Sequence, residues 1–396
     1  MQTPISKYIM STDDSSSRLV IVDYEDVASS KDLSADLLRA FGGRQSSSST
    51  TSASSPLGII AIRNIPDFLA AKLKFLPMAH ALAHLDPDYL EKHLTDSKSF
   101  YNAGWSHGKE KLGDVPDLAK ASYYFNPITD TPGTEEERDR YPASYPCNKW
   151  PNEEEVTQLK DFKEAAKALG KIMHEVVILL AKHIDAMAEQ RVKGYKKDLL
   201  YDAMRETEKA KGRLLYYYPL EENENEKGSE AKEDNWIGWH NDSGFLTSLA
   251  GDMYIDDSTG QPLPASQVDP EAGLYVTDRS GKSIHVTIPQ DCLAVQMGEC
   301  VQILTGGVVV ATPHCVRGPR PGWNAQSTAK VARISHPCFI DSKPTFPLNM
   351  PEGCSRDDVI QAVGKVPPLG ERWTGNGMTF GDFLQKTFEK YYDWEG

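Results

Sequence analysis

The stretch Gly212-Arg-Leu-Leu-Tyr-Tyr-Tyr-Pro219 marks the point where the hydrophobic period changes from that of helices to that of strands. Short runs rich in Val, Ile, Tyr and Thr follow it, and Gly, Pro, Asp and Asn separate them. The strands that we predict are 213–218, 236–242, 245–250, 273–277, 284–288, 292–297, 301–304, 308–316 and 330–340. So many short strands in succession indicate a barrel or a jelly roll.

Helical signals dominate the sequence that precedes this β-rich part. Over 151–191 apolar residues recur at steps of three and four, which predicts one long spine helix. Asn152 can cap this helix, because Glu155 follows at the position of the return partner. A shorter helix is predicted over 197–210 and a closing helix over 381–392. The predicted fold class is therefore α+β.

These elements divide the sequence into four regions. Strands, helices and irregular loops are mixed in an N-terminal region at 18–150, and the spine helices occupy 151–210. The β core covers 211–341. A Pro- and Gly-rich C-terminal extension with the closing helix covers 342–396.

Composition and charge are those of an acidic globular protein. The 396 residues carry a formal net charge of −14, which disfavours nucleic acid and anionic membranes as partners. No stretch reaches the roughly 18 apolar residues of a membrane-spanning helix. The six cysteines form no Cys-x-x-Cys pair and the N-terminus has no apolar leader, so we expect a cytoplasmic protein with reduced thiols. The Ser- and Thr-rich stretch 45–55 and the acidic stretch 221–234 are predicted to be surface loops.

Three His-x-Asp pairs occur in the sequence: His84-Leu-Asp86, His183-Ile-Asp185 and His240-Asn-Asp242. We predict helical structure over 67–95 as well, so the first two pairs lie in the predicted helices 67–95 and 151–191. Residues two apart on a helix point about 200° away from each other, which excludes these two pairs as ligands of one ion. Residues two apart on a strand share a face, so His240 and Asp242 can bind one ion together. Two imidazoles and one carboxylate are the ligands of mononuclear Fe(II) oxygenases, so a second histidine is required.

His285, His314 and His336 are the candidates for this second histidine. His314 stands after the apolar run 307–313, at the terminus of a predicted strand. His336 directly follows a second motif, and the faces of the run around His285 cannot be assigned. Spacing alone does not choose among the three.

The second motif, Arg333-Ile-Ser335, places a guanidinium and a hydroxyl on one face of the strand 330–340. A guanidinium matches a carboxylate as a planar fork, and a hydroxyl adds a third donor. The pair therefore suits the far carboxylate of a dicarboxylic acid, with a structural ion pair of Arg333 as the alternative. Arg44-Gln-Ser46 has the same form but lies in the Ser-rich loop.

In this order, His240-Asn-Asp242, His314 and Arg333-Ile-Ser335 resemble the isopenicillin N synthase-like family of Fe(II)/2-oxoglutarate-dependent dioxygenases. Further stretches that resemble parts of that family are 57–66, 149–151, 213–219, 242–247, 272–276 and 296–304. The resemblance selects His314 over the other two histidines. It implies a distorted double-stranded β-helix, or jelly-roll, core that is flanked by the N-terminal helices.

The resemblance also implies a set of site residues and cofactors. The catalytic metal ligands would be His240, Asp242 and His314. The cosubstrate 2-oxoglutarate would be bound through Arg333 and Ser335, with Tyr218 adding its hydroxyl. The implied cofactors are Fe(II), 2-oxoglutarate and O2, with ascorbate as a candidate reductant.

Three features depart from the family pattern. Tyr216 stands where the family often has Asn, which leaves the metal-side contacts of the cosubstrate open. Cys315 replaces a basic residue after the distal histidine. The spans between motifs contain inserts near 255–270 and 317–329, which we interpret as surface loops rather than pocket walls.

The implied activity is hydroxylation or desaturation of a C–H bond in a small molecule, with release of succinate and CO2. The alternatives are an Fe(II) oxidase of the same fold that does not use 2-oxoglutarate, a zinc hydrolase, and a non-catalytic metal-binding protein. Residues 100–125, Phe245, Phe380 and Phe383 are candidate walls of the substrate pocket, although aromatic residues more often serve packing. The substrate and the oligomeric state stay open, and a monomer is compatible with the sequence.

Overall fold

The computed structural model describes residues 18–43, 55–109, 111–112, 115–220, 236–320, 323, 328–361 and 365–392. Three predicted features, Arg44-Gln-Ser46, the acidic loop 221–234 and most of the Ser-rich loop 45–55, lie outside these residues, as does much of the insert 317–329. Within the described ranges, no helix has the length and apolar character that a membrane crossing requires.

The strands of the structure are short, and most lie in the second half of the chain. They are β1 Val20–Asp23, β2 Ile59–Arg63, β3 Gly104–His107, β4 Lys111–Leu112, β5 Val115–Pro116, β6 Lys120–Phe125, β7 Ala210–Tyr217, β8 Ile237–His240, β9 Leu246–Asp256, β10 Gln261–Pro262, β11 Gly273–Thr277, β12 Ser283–Val286, β13 Leu293–Met297, β14 His314–Arg317 and β15 Val331–Ile340.

Nine strands form a main sheet in the order β1-β2-β13-β9-β15-β7-β6-β3, with β10 paired to β9. The first pair is parallel and the pairs from β2 to β3 along this order are antiparallel. A second sheet has four strands in the order β12-β11-β14-β8. The N-terminal region thus supplies strands to the same sheet as the region 211–341.

The two sheets face each other and enclose two apolar clusters. The first cluster joins the second sheet to β2, β9 and β13, and its members include Ile59, Ala61, Leu249, Leu274, Val276, Ile284, Val286 and Ala294. The second cluster contains Leu215 and Tyr217 of β7, Val316 of β14 and Trp236, which precedes β8. Two facing antiparallel sheets with a shared interior are the arrangement of a jelly roll, as the sequence predicts.

Helices cover the opposite face of the main sheet. They are α1 Tyr24–Ala28, α2 Ser34–Phe41, α3 Phe68–Phe75, α4 Met78–Ala83, α5 Pro87–Tyr89, α6 Glu135–Arg140, α7 Phe162–Arg191, α8 Leu199–Arg205, α9 Glu299–Leu304, α10 Arg356–Val359, α11 Leu369–Arg372 and α12 Phe380–Tyr392. A π-helical turn spans Leu90–Leu94, and 3-10 turns span Ser97–Ser99, Thr157–Leu159 and Ala265–Gln267. The longest helix, α7, packs on α3, β9 and β15 through its apolar stripe.

The long helix begins at Phe162 rather than at Pro151, so the predicted start is wrong. Asn152 does not cap a helix, because its side chain accepts a hydrogen bond from the backbone of Glu154 in a local turn, at 3.2 Å. Asp161 has a φ of 64°, which separates the preceding 3-10 turn from the helix.

Two predicted strands are also wrong in type or extent. The run 301–304 belongs to helix α9, whose residues are all buried, so no exposed face distinguishes helix from strand in the sequence. The predicted strand 308–316 exists only from His314 onward. His314 therefore begins a strand instead of ending one.

Candidate metal centre

His240 and His314 lie opposite each other on neighbouring strands of the second sheet. β8 and β14 are antiparallel, and their register pairs His314 with His240. The centroids of the two imidazole rings are 4.2 Å apart. Strand pairing therefore brings together two residues that are far apart in the sequence.

Asp242 lies in the loop after β8, and the start of helix α9 holds this loop. The backbone N–H of Glu299 donates to the Asp242 carbonyl at 2.8 Å, and that of Cys300 donates to the Gly244 carbonyl at 3.1 Å. Gly298 makes this approach possible, because a Cβ there would lie 2.2 Å from the Gly244 oxygen. The buried helix thus fixes the position of the aspartate.

His240, Asp242 and His314, which we name the inner triad, converge on one point. One nitrogen of each imidazole and one carboxylate oxygen lie within 4.8 Å of one another. Nδ1 of His240 donates to the Gly238 carbonyl at 2.8 Å, and Nδ1 of His314 donates to the Thr312 carbonyl at 3.2 Å. These bonds leave the lone pair of Nε2 on both rings for a metal, which is how outer-shell contacts orient metal ligands.

The electrostatic state of the inner triad suits a divalent cation. Burial lowers the pKa of His240 to about 3, and His314 and the positive charges of Arg213 and Lys120 act in the same direction. The imidazole is thus in the neutral form that binds metals. The buried Oδ2 of Asp242 accepts no hydrogen bond from the described residues. Because a buried carboxylate oxygen without a partner is unfavourable, the site fits Fe(II) or Zn(II) as a bound cation.

Arg333 is 1% exposed and faces the space between the sheets. The register pairs it with Tyr217, whose ring centroid is 4.7 Å from the guanidinium carbon, and pairs Ser335 with Leu215 on the same face. Nη2 of Arg333 donates to the Asp252 carboxylate. Nε and Nη1 are buried and find no acceptor within the described ranges. These two N–H groups fit a further carboxylate.

Tyr218 does not lie beside Arg333, and Tyr217 takes that position. The Tyr218 ring contacts Tyr216 and His107, at centroid distances of 5.1 and 5.0 Å. Neighbouring residues on a strand point to opposite faces, so a difference of one residue moves the hydroxyl to the other side of the sheet. The predicted contact between Tyr218 and the cosubstrate therefore has no support in this geometry.

The other two candidate histidines lie elsewhere. His285 stacks on Tyr275, with ring centroids 4.9 Å apart, and its Nε2 bonds a backbone carbonyl. His336 is fully buried between Phe75 and Phe125, at centroid distances of 5.3 and 5.4 Å. In the described part of the chain, neither belongs to a group that could hold a metal.

The aromatic residues proposed as pocket walls are core residues. Phe245, Phe380 and Phe383 are all fully buried. The Phe245 ring packs on Phe380 and Phe346, with centroids 5.3 and 5.6 Å apart. These contacts are those of a packed core, whereas the range 100–125 supplies β3 and β6 to the edge of the main sheet.

A buried ion pair stabilises the loop that carries Asp242, and no motif in the sequence indicates this pair. Arg372 donates to both carboxylate oxygens of Glu299 at 2.5 Å, and both residues are almost fully buried. The amide of Asn241, between two triad residues, donates to the same carboxylate at 2.9 Å. The C-terminal extension is thereby connected to the inner triad.

A second group of two histidines and one aspartate lies on the helical side of the main sheet. His80, His84 and Asp257, which we name the outer triad, also bring ligand atoms within 4.8 Å of one another. The spacing of four residues puts both histidines on one face of α4 and its C-terminus, a signal that a search for His-x-Asp pairs misses.

Comparison by sequence finds no matching protein-family model and no matching curated protein. Comparison by structure finds a protein of Caulobacter crescentus described as belonging to the 2OG-Fe(II) oxygenase family, with a TM-score of 0.61 and 18% identity, covering 94% of this chain and 99% of that one. A full-length Neurospora crassa protein in complex with alpha-KG gives a TM-score of 0.62 at 16% identity, covering 93% of this chain and 96% of that one.

A third similar structure is JOX2 in complex with 2OG, Fe and JA. Its TM-score is 0.56 at 17% identity, and the alignment covers 93% of this chain and 84% of that one. At such identities the comparisons establish the fold: the chain has the jelly-roll fold of 2OG-Fe(II) oxygenases.

Proposed function

We propose that this protein is an Fe(II)- and 2-oxoglutarate-dependent dioxygenase that oxidises a C–H bond of a small molecule. The observation that carries this proposal is the coexistence, inside one jelly roll, of the inner triad and of a buried arginine with two unpaired N–H groups. The first feature suits a metal with open coordination positions, and the second suits the distal carboxylate of a keto diacid. Solved structures of the same fold with alpha-KG, or with 2OG and Fe, support the combination.

The inner triad would hold the iron through Nε2 of His240, Nε2 of His314 and a carboxylate oxygen of Asp242. When bound, Fe(II) and 2-oxoglutarate supply oxidative decarboxylation of the keto acid, coupled to oxidation of the substrate, with release of succinate and CO2. The protein contributes orientation: the backbone carbonyls of Gly238 and Thr312 fix the two rings, and α9 fixes the aspartate.

Arg333 would bind the distal carboxylate of 2-oxoglutarate through Nε and Nη1, and Ser335 would add its hydroxyl from the same face. Tyr217 supports the guanidinium, since its ring lies against it. Tyr216 donates a hydrogen bond to Asp257 at 2.5 Å on the opposite face of the main sheet, so it does not contact the cosubstrate in this proposal. The cosubstrate contacts would come from Arg333, Ser335 and Tyr217.

Three finer assignments belong to the same proposal. The order of the motifs supports the isopenicillin N synthase-like branch of the fold. Residues 211–341 would carry the metal and the cosubstrate, whereas 18–150 and 342–396 would enclose a small-molecule substrate around them. A reducing cytoplasmic location is supported by the free thiols of all six cysteines.

Succinate release tests the proposal against its alternatives. Protein purified anaerobically and supplied with Fe(II), 2-oxoglutarate, O2 and ascorbate should consume 2-oxoglutarate and release one succinate per CO2, and a substrate screen should accelerate this turnover. Substrate oxidation without succinate would indicate an Fe(II) oxidase that does not use 2-oxoglutarate. Hydrolysis that depends on Zn(II) would indicate a hydrolase, and metal binding without any turnover would indicate a non-catalytic protein.

A further inference from the structure

The C-terminal extension contacts three residues of the segment that carries His240 and Asp242. Trp239 and Phe245 pack on side chains of the extension, and Asn241 is connected to it through a carboxylate. Neighbouring residues on a strand point to opposite faces, so Trp239 lies on the face opposite to that of His240. Metal ligands and contacts with the extension therefore alternate along this segment.

The first and last of these contacts are a cation over a ring and a pair of rings. Nζ of Lys365 lies 3.8 Å from the centroid of the Trp239 ring, and it donates to the Ser283 hydroxyl at 2.8 Å. The Phe245 ring meets the ring of Phe380 in α12 nearly at right angles, with an interplanar angle of 89°. The extension thus holds the segment at both ends.

The central contact runs through Glu299, the first residue of α9. Its backbone N–H donates to the Asp242 carbonyl at 2.8 Å, and its carboxylate accepts a hydrogen bond from the Asn241 amide at 2.9 Å. Glu299 is 1% exposed, and Arg372 donates to both of its carboxylate oxygens. One buried residue therefore makes two bonds to the metal-binding loop, and its charge is compensated by Arg372.

Arg372 is fully buried at the end of α11, and other residues of the extension fix its guanidinium. Nη2 donates to the Pro367 carbonyl at 3.0 Å, and Nη1 donates to the hydroxyl of Thr387 in α12 at 3.3 Å. The guanidinium carbon is 5.6 Å from the centroid of the Phe383 ring. Removal of one partner of a buried ion pair leaves a charge without compensation, which is strongly unfavourable. Without Arg372, Glu299 would have to move toward water, and its bonds to the loop would weaken.

We infer that Arg372 is a positioning residue of the metal centre, which holds Asp242 in place through Glu299 and Asn241. A metal ligand has to be kept within about 0.5 Å of its binding position, so loss of these contacts weakens metal binding in the folded protein. The inference rests on the proposed function, since it takes the inner triad as the metal centre. The C-terminal extension is then a part of that centre, although it supplies none of the three ligands.

Titration with Co(II), followed by the visible absorption of the bound ion, tests this inference without turnover. Arg372→Gln should raise the Kd for Co(II) at least tenfold and change the absorption spectrum, because Asp242 is no longer held. Arg372→Lys keeps the charge, so its Kd should fall between those of Arg372→Gln and the wild type. Asn241→Ala leaves the ion pair intact and should raise the Kd at least threefold, which decides the question if Arg372→Gln does not fold.

Two controls separate positioning from a loss of stability. Arg320→Gln makes the same change in an ion pair with Asp269 and should keep the wild-type Kd. Met173→Ala removes a fully buried side chain of α7, so it should lower the urea midpoint but leave the Kd and the spectrum unchanged. A lower urea midpoint with the wild-type Kd and spectrum in Arg372→Gln would overturn the inference, as would an unchanged Kd in Asn241→Ala.

Hydrogen exchange tests the same coupling from the opposite direction. If the docked extension favours metal binding, bound metal must stabilise the docked extension by the same factor. Zn(II) should therefore slow amide exchange in α11 and α12 at least tenfold in the wild type, and less in Asn241→Ala. No slowing in the wild type would overturn the inference. Failure of the wild type to bind Co(II) would refute the proposed function as well, whereas unchanged affinities in the variants would refute the inference alone.

Discussion

The inner and outer triads use the same residue types but differ in how their polar atoms are satisfied. In the outer triad, Asp257 accepts a hydrogen bond from Tyr216 at 2.5 Å and faces Nε2 of His84 at 3.4 Å. His80 bonds the Asp257 carbonyl and His84 bonds the His80 carbonyl, each at 2.9 Å. The His84 side chain is 41% exposed. The side chains of the outer triad therefore find their hydrogen-bond partners in one another, in Tyr216 and in backbone carbonyls, and His84 is accessible to solvent.

In the inner triad His240 is half-buried, the other two members are buried, and one polar atom has no partner among the described residues. Asp242 and His314 are 8% and 7% exposed, and Oδ2 of Asp242 has no donor within the described ranges. Only Nδ1 of each imidazole is engaged, by a carbonyl that cannot replace a metal. Ligand type and proximity are common to both triads, and the inner triad differs from the outer one in having a buried carboxylate oxygen without a hydrogen-bond donor in the described part of the chain.

The largest effect that we expect is loss of iron binding when the aspartate of the inner triad, but not that of the outer triad, is substituted. Asp242→Ala should weaken iron binding by more than about 100-fold, because loss of a mere hydrogen-bond partner of a metal ligand already weakens metal binding by up to about 100-fold. The same change should abolish succinate release. Asp257→Ala should leave one iron per chain and unchanged turnover. Metal analysis after anaerobic loading and desalting, together with a succinate assay, measures both. Iron loss in Asp257→Ala with retention in Asp242→Ala would reverse the assignment.

The next effect concerns the arginine that accompanies only the inner triad. Arg333→Gln should raise the KM for 2-oxoglutarate roughly a hundredfold, because two charge-assisted hydrogen bonds together contribute about 3 kcal/mol. Iron content should stay at the wild-type level. Arg333→Lys keeps the charge but not the fork, and should fall between the two. Arg320→Gln is the matched control, and an unchanged KM in Arg333→Gln would remove Arg333 from the cosubstrate site.

The sequence predicts Asp242 as a metal ligand, but for a reason that differs from the one in the structure. The spacing argument requires His240 and Asp242 to lie on one strand, but the strand ends at His240. The aspartate reaches the histidines because α9 holds its loop, and α9 is the element that the sequence assigns to a strand. A helix of six wholly buried residues has no polar face, so its period is invisible in the sequence.

Register and long-range pairing set the second limit. The motif Arg333-Ile-Ser335 does share one buried face, as strand alternation predicts. Arg333 lies beside Tyr217 because of the register between β7 and β15, which no local pattern encodes. The partner Asp252 comes from β9, where the pairing with β15 shifts by one residue. Such contacts are decided by how strands meet, not by spacing along one strand.

A smaller effect is expected for the pH dependence of stability, from the buried histidine His336, which belongs to neither triad. Burial lowers the pKa of His336 to about 4. The unfolded chain takes up this proton below about pH 6.5, so stability is lost as the pH falls from 6.5 toward 4. Between pH 8 and pH 5 we expect His336 to account for about 2 kcal/mol of lost unfolding free energy.

Urea unfolding in EDTA at both pH values measures this loss. The decrease in stability should be about 2 kcal/mol smaller in His336→Asn than in the wild type. His174, whose pKa burial also lowers to about 4, should sustain part of the slope in both proteins. His93→Asn, at an exposed site, should retain the full wild-type slope. If the unfolding free energy changed equally with pH in the wild type and in His336→Asn, the conclusion that His336 is neutral in the folded protein would be wrong.

The smallest effect concerns Asp252, the carboxylate that already pairs with Arg333. When 2-oxoglutarate binds, two carboxylates would share one guanidinium, and their repulsion lowers the affinity for the cosubstrate. Asp252 is 24% exposed, which screens the repulsion, so Asp252→Asn should lower the KM for 2-oxoglutarate only about fivefold, or about 1 kcal/mol. Asp291→Asn, an exposed change, should leave the KM unaltered. A higher KM in Asp252→Asn would show that Asp252 instead positions Arg333, as Tyr216 and His84 position Asp257 in the outer triad.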